Sequence, residues 1–261
     1  MFKKTLVGLA LVAPLSAFAA PTTFDNTSLG GSNTFDFTQV QISGGASSVV
    51  LTDSNNNGLV DAGDTFVETG FVAGFGFTDS VGNPINNTGL NTTGGYQLFA
   101  VFNPLVGAVA FALPGFYQVA FGSASGFTLY YDTDLTAGLQ AGATVIGQGT
   151  NGSGNCVVSS AIAGGACVLD FDFDAAAVSA AGVFTSGGID LGLLGASIRV
   201  DMNVDNIAPN FFSPTYAVAG GTQERLLDHN GSASFQVPEP SSLALLGLGG
   251  LMGLVRRRKA A

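Results

Sequence analysis

Hydrophobic residues recur at every second position over much of the chain, the period of a strand with one covered face. In "GFTLYYDTD", Phe127, Leu129 and Tyr131 fall on one side, with Thr128, Tyr130, Asp132 and Asp134 on the other. "CVLDFDFD" sets Cys167, Leu169, Phe171 and Phe173 against Asp170, Asp172 and Asp174. "IRVDMNVD" separates Ile198, Val200, Met202 and Val204 from Arg199, Asp201, Asn203 and Asp205. These read as half-buried antiparallel strands with one wet face. "YQLFAVF", Tyr96 to Phe102, is apolar at nearly every position and predicts a strand covered on both faces. "TFDFTQVQI" alternates but slips phase near Thr38, which predicts a bulge. In "TFVETGFVAGFGF", Phe71, Ala73, Phe75 and Phe77 share a face. Between the runs lie Gly, Asn, Ser and Thr clusters such as "NPINNTGLNTTGG", which are loop chemistry. The stretch from Ala175 to Ala181 predicts a helix of two turns. Many short strands and frequent turns predict an all-β fold, an antiparallel β-sandwich of jelly-roll or immunoglobulin-like type over residues 20–232.

Both ends read differently. "MFKKTLVGLALVAPLSAFAA" has Lys3 and Lys4, then an apolar run from Leu6 to Leu15, then Ala17-Phe18-Ala19. That is the order of a secretory signal peptide over residues 1–19, cut after Ala19. Near Leu227 the chain is expected to become a linker, with a last edge strand at Ser234 to Val237 before prolines stop the pairing. Residues 233–261 then hold Pro238-Glu239-Pro240, an uncharged apolar run from Ser241 to Val255, and Arg256, Arg257, Arg258 and Lys259. Fifteen helical residues rise about 22 Å, short of a hydrocarbon core of about 30 Å. Snorkelling arginines and local thinning make up the difference, so a membrane-spanning helix is expected. Its basic flank faces the cytoplasm, which leaves the rest of the chain exported.

Those three ordered elements resemble the sorting signal of PEP-CTERM proteins. The resemblance implies a Gram-negative bacterium and an exosortase, a membrane transpeptidase, as partner. It implies a transient inner-membrane intermediate, then the cell surface or extracellular matrix, often beside exopolysaccharide production. "GYQLFAVF" followed by "GFTLYYDTD" resembles, more loosely, the body of flocculation-associated members.

Charge sharpens the picture. Outside the end segments the bases are Arg199 and Arg225, against seventeen acids when Glu239 is set aside, so 2 − 17 gives −15. Such a surface repels nucleic acid and anionic lipid, and suits surroundings rich in divalent cations. Cys156 and Cys167, at short spacing in an exported chain, predict a disulfide.

"DSNNNGLVDAGD", Asp53 to Asp64, carries the spacing of a calcium loop. Such loops supply oxygens from positions 1, 3, 5, 7, 9 and 12. Here those are Asp53, Asn55, Asn57, the Leu59 carbonyl, Asp61 and Asp64, with Gly58 at the sharp turn. Asp64 is one methylene shorter than the usual Glu, and strands flank the loop, so an isolated calcium loop of modest affinity is expected. The competing reading is a solvated Asn-Gly turn.

No motif for nucleophilic, metalloprotease or phosphate chemistry is present. His229, the only histidine, is read as solvated. The expectation is a non-catalytic surface or matrix protein associated with extracellular polysaccharide, biofilm or floc. A calcium-dependent carbohydrate-binding module is the alternative, with Tyr130 and Asp132 as candidate glycan contacts on a wet face. A polysaccharide hydrolase ranks third.

Overall fold

The computed structural model describes residues 21–135, 141–162, 164–174, 181–205 and 213–237. The compact unit runs Pro21–Val237. It is nearly all β, and every ladder in it is antiparallel.

The strands are β1 (Thr22–Asp25), β2 (Thr34–Phe37), β3 (Gln39–Thr52), β4 (Thr65–Thr78), β5 (Gln97–Phe102), β6 (Leu105–Leu113) and β7 (Phe116–Phe121). Then come β8 (Phe127–Asp132), β9 (Thr144–Ser159), β10 (Gly164–Asp174), β11 (Phe184–Ser186), β12 (Ile189–Asp190), β13 (Ser197–Asp205) and β14 (Thr222–Gln236). In the larger sheet β5 and β6 act as one interrupted strand along β4, pairing at Phe71↔Val101 and then Glu68↔Leu105. The break falls at Asn103-Pro104, where proline has no donor for the ladder. β7 and β8 likewise share one neighbour, β9, from Phe116↔Ser159 to Phe127↔Gly149. Pro114-Gly115 closes the β6–β7 hairpin between the paired Leu113 and Phe116. Gly115 has φ 76°, which the second central residue of a type II turn requires.

Consecutive strands are neighbours throughout this sheet, and two pairings turn it into a ring. β9 pairs with β10, and β14 returns to β3. The result is a closed meander, β3-β4-β5/β6-β7/β8-β9-β10-β13-β14, in which, among the described residues, each strand has a partner on both sides. The expected jelly-roll or immunoglobulin-like sandwich is replaced by this ring. Alternation assigns residues to an inside and an outside, and two packed sheets and one closed wall use the same assignment.

The inward faces of β8, β10 and β13 are those expected: Phe127, Leu129, Tyr131, Cys167, Leu169, Phe171, Phe173, Ile198, Val200, Met202 and Val204 are all buried. Each large apolar side chain taken from water contributes about 1.5–3 kcal/mol. β5 is covered on both sides as predicted, with Leu98 and Phe99 both buried. Cys156 and Cys167 face each other across β9 and β10 and form the disulfide. A loop of this length stabilises the fold by about 3 kcal/mol in the chain-entropy model.

Two phase readings are corrected. Thr38 marks a boundary between β2 and β3 rather than a bulge, because the chain passes there from the small sheet β12-β11-β1-β2 into the ring. On β4 the buried residues are Phe66, Glu68, Val72, Phe75, Phe77 and Thr78, so Phe71 and Ala73 leave the face of Phe75. The phase changes at Gly74, whose φ of 66° suits glycine. The small sheet lies over one mouth of the ring, where Phe24 meets Phe77 at 5.3 Å, Tyr96 at 5.7 Å and Phe184 at 5.3 Å.

The linker reading also fails. Residues 222–236 form the fifteen-residue strand β14, and Phe235 and Val237 pack against the core. The predicted helix from Ala175, the signal peptide and the apolar segment 241–255 lie outside the described residues. Among the described residues no helix is long and apolar enough to cross a membrane.

Candidate functional site

The loop between β3 and β4 is wound by its own polar side chains. Asn55 Oδ1 accepts from Asn57 N at 3.0 Å, and Asn57 Oδ1 accepts from Leu59 N at 2.7 Å. These are Asx turns in series, the local chemistry that Asn offers a turning backbone. Gly58 turns at φ 78°, as the sixth position demands. Asn55 Nδ2 donates to Asp61 Oδ1 at 2.8 Å and Asn57 Nδ2 to Asp61 Oδ2 at 2.6 Å. Positions 3, 5 and 9 therefore converge on the exposed side of the loop.

Positions 1 and 12 lie at its base. Asp53 accepts from Asn57 N at 3.2 Å, Gly58 N at 2.7 Å and Gly220 N at 2.8 Å. Asp64, fully buried, accepts from Ser54 N at 3.0 Å, Asp61 N at 3.2 Å and the Tyr216 hydroxyl at 3.0 Å. Leu59 is exposed and bridges to Thr215. Residues 213–221 run across the loop as a strap, through Val60 N to Pro214 O, Tyr216 N to Gly58 O and Asp53 N to Gly221 O. Beneath them Arg225 is buried, 5.3 Å above the Tyr117 ring, donating to Ser213 O and Gln223 Oε1. Burial lowers the pKa of Arg225 and raises that of Tyr216, which Asp64 raises further.

Burial opposes the charge on Asp53, but the amides of Gly220, Gly58, Asn57 and Asn56 outweigh it and hold its pKa below the usual carboxylate value. A depressed carboxylate stabilises the fold above its unfolded pKa of about 3.9. That contribution is lost as pH falls from there through the folded value.

Asn55 and Asn57 turn their amide nitrogens toward Asp61 and their oxygens toward backbone N–H groups, so a hard cation, which takes oxygen ligands, would require both amides to rotate. The convergent groups are two amides and one carboxylate. Among the described residues no three His, Cys, Asp or Glu side chains gather as a metal site.

Asp132 does not lie on a wet face. It is buried, accepting from Gln97 Nε2 at 2.9 Å and from Asp134 N at 2.9 Å. Tyr130 is half-buried and stacks on Phe99 at 5.0 Å. The aspartates of β10 and β13 do point outward. Asp170 faces Arg199 in register, and Arg199 pairs with Asp201 at 3.4 Å.

His229 is buried inside the ring, contrary to the solvated reading. Its Nε2 lies 2.7 Å from Glu68 Oε1 and 2.7 Å from Ser47 Oγ, and Ser47 Oγ donates to Glu68 Oε1 at 2.7 Å. A cavity of about 40 Å³ adjoins the cluster. Sequence reasoning missed this group, yet parity carried the signal. His229 shares its phase with Leu227, Ala233 and Phe235, Glu68 with Phe66, and Ser47 with Val49 and Leu51.

A closed antiparallel β wall with an Asx-wound acidic loop at one mouth defines the class of body this chain folds into. The segment beyond its last strand defines its handling. Residues 236–259 match the family model of the PEP-CTERM protein-sorting motif. This span includes Pro238, Glu239, Pro240, Arg256, Arg257 and Arg258 and begins at the final residue of β14. The motif residues from Pro238 onward lie outside the described residues. The chain thus carries a sorting motif that implies export, transient membrane anchoring and exosortase processing. No curated protein and no solved structure matches it.

Proposed function

We propose that this is a non-catalytic surface or matrix protein of a Gram-negative bacterium, associated with extracellular polysaccharide and with biofilm or floc cohesion. The observation that carries the reading is the join between a fully paired, acidic β wall and a sorting motif that starts where its last strand stops. A wall whose described strands each pair on both sides persists outside the cell with little edge to template aggregation. The sealed position of His229 supports a non-catalytic role. Its serine and glutamate partners crowd one ring nitrogen, whereas a catalytic triad uses both. Deleting the gene and scoring cell clumping and matrix retention tests the role. Clumping equal to the parent strain would remove it.

Calcium belongs to the same proposal, held by Asp53, Asn55, Asn57, the Leu59 carbonyl, Asp61 and Asp64. The spacing of the loop supports it, together with the approach of Asn55 and Asn57 to Asp61, with both amides rotating to turn their oxygens inward when the ion binds. An ion at ten times its Kd stabilises by roughly 1.4 kcal/mol, which raises Tm by roughly 3–6 °C. Asp61→Ala should abolish that rise and leave the calcium-free Tm within about 1 °C, since Asp61 bonds only exposed amides through its side chain. A wild-type Tm indifferent to millimolar calcium would leave the loop as an Asx turn alone.

A further inference from the structure

A shallow trough of about 590 Å³ crosses the outer surface over β3, β14, β13 and β10. Register sets its rows. Gln41 faces Ser232, Ser232 faces Asp201 and Asp201 faces Val168. In the next row Asn230 faces Asn203 and Asn203 faces Ala166. Ser43, Ala166, Gly231 and Ser232 keep the floor low, and Gln41, Asn203 and Asn230 rise from it. Gly231 admits no side chain, because a Cβ would lie 2.1 Å from the Asp201 carbonyl oxygen. Four strands at about 4.8 Å spacing give a trough roughly 14 Å across.

Its polar side chains are held in place by one another. Gln41 Nε2 donates to Gln39 Oε1 at 2.9 Å, and Gln39 Nε2 to Ser232 Oγ at 2.9 Å. Asn203 Nδ2 donates to Asn230 Oδ1 at 3.0 Å, and Asn230 Nδ2 to Asp205 Oδ2. A network already fixed costs little ordering entropy when a ligand arrives. Amides and hydroxyls both donate and accept, as sugar hydroxyls do. Of the charges here, Asp201 pairs with Arg199, while Asp205 faces Asp228 at one end. That balance repels an anionic polymer.

The geometry points to a binding site for a neutral polysaccharide chain along this trough, an assignment that rests on the polysaccharide reading above. The test is affinity gel electrophoresis of the processed protein released from cells. The neutral fraction of the producing cells' own matrix polysaccharide is cast in the gel, and alginate serves as the anionic comparison. The neutral fraction should retard the wild type. Gln41→Ala with Asn203→Ala should weaken the apparent affinity roughly 10- to 30-fold, as loss of two hydrogen-bonding side chains predicts. Gln118→Ala, on the exposed face of β7, should change nothing. Equal retardation of wild type and double variant, retardation by alginate alone, or none at all would each overturn the assignment. If double-variant cells clump like the parent while the deletion strain does not, the trough is wrong and the matrix role stands. If the deletion strain clumps normally, the role itself falls.

Discussion

Replacing Glu68 by alanine is expected to destabilise the protein by about 3–5 kcal/mol, because it strands a histidine and a serine inside an apolar wall. Glu68 and His229 are both almost fully buried, at 5% and 1% side-chain exposure, so bulk solvent does not reach the place of the lost carboxylate. The surrounding side chains include Val49, Phe66, Val204 and Leu227, which offer no hydrogen bond. His229 Nδ1 already lacks a partner, and the variant would leave Nε2 with Ser47 Oγ alone. Thermal melting should register a fall of roughly 10 °C or more. The companion is Ser47→Ala with Glu68→Leu and His229→Leu, which removes every polar member together. Replacement of a buried polar group by apolar residues of similar volume is often neutral or stabilising, so the triple variant should regain most of the loss. A Glu68→Ala protein that melts like wild type would show that the cluster holds nothing together.

Asp64→Ala should cost about 3–4 kcal/mol, because three donors lose one fully buried acceptor. Two of them, Ser54 N and Asp61 N, belong to the loop, and the third, the Tyr216 hydroxyl, belongs to the strap. One substitution therefore loosens both. In urea the midpoint should fall with the slope unchanged. Amide hydrogen exchange should rise at Tyr216 and Gly220, whose protons are held by Gly58 O and Asp53 Oδ2. Exchange rates unchanged at both amides would detach the strap from Asp64.

The inward faces of β10 and β13 are legible in the sequence because Leu169, Phe171 and Phe173 alternate with aspartates, and Ile198 to Val204 with Arg199, Asp201 and Asn203; on β8 the inward set is legible, but the face expected to be wet is not, since Thr128 is buried too. The disulfide is legible from another signal, two cysteines at short spacing in a chain read as exported, and the structure pairs Cys156 with Cys167. Closure of the ring is not, because alternation says which way a residue points and nothing about which strand lies beside it. The phase change at Gly74 is hidden because Phe71, Ala73, Phe75 and Phe77 look uniform at period two. β14 resembles a linker because its inward positions include Arg225 and His229, which mimic a solvated stretch. Asp132 looks wet because its cover is a side-chain bond from Gln97 on another strand, which no local pattern records. In the loop, the turn at Gly58 is readable from sequence. The strap of residues 213–221 is not, since it approaches from the far end of the chain.

The ring shuts where β14 meets β3, joining side chains as far apart as Gln39 and Ser232, 193 positions along the chain. A polypeptide crossing a membrane from its N-terminus delivers β3 early and β14 near the end. Until that last segment emerges, β3 waits with one ladder open, and the entropy of so wide a loop remains to be overcome. The segment that completes the wall also adjoins the motif that tethers the chain during transit. Severing the tether before β14 has docked would free an open, pairing-competent edge into the surroundings.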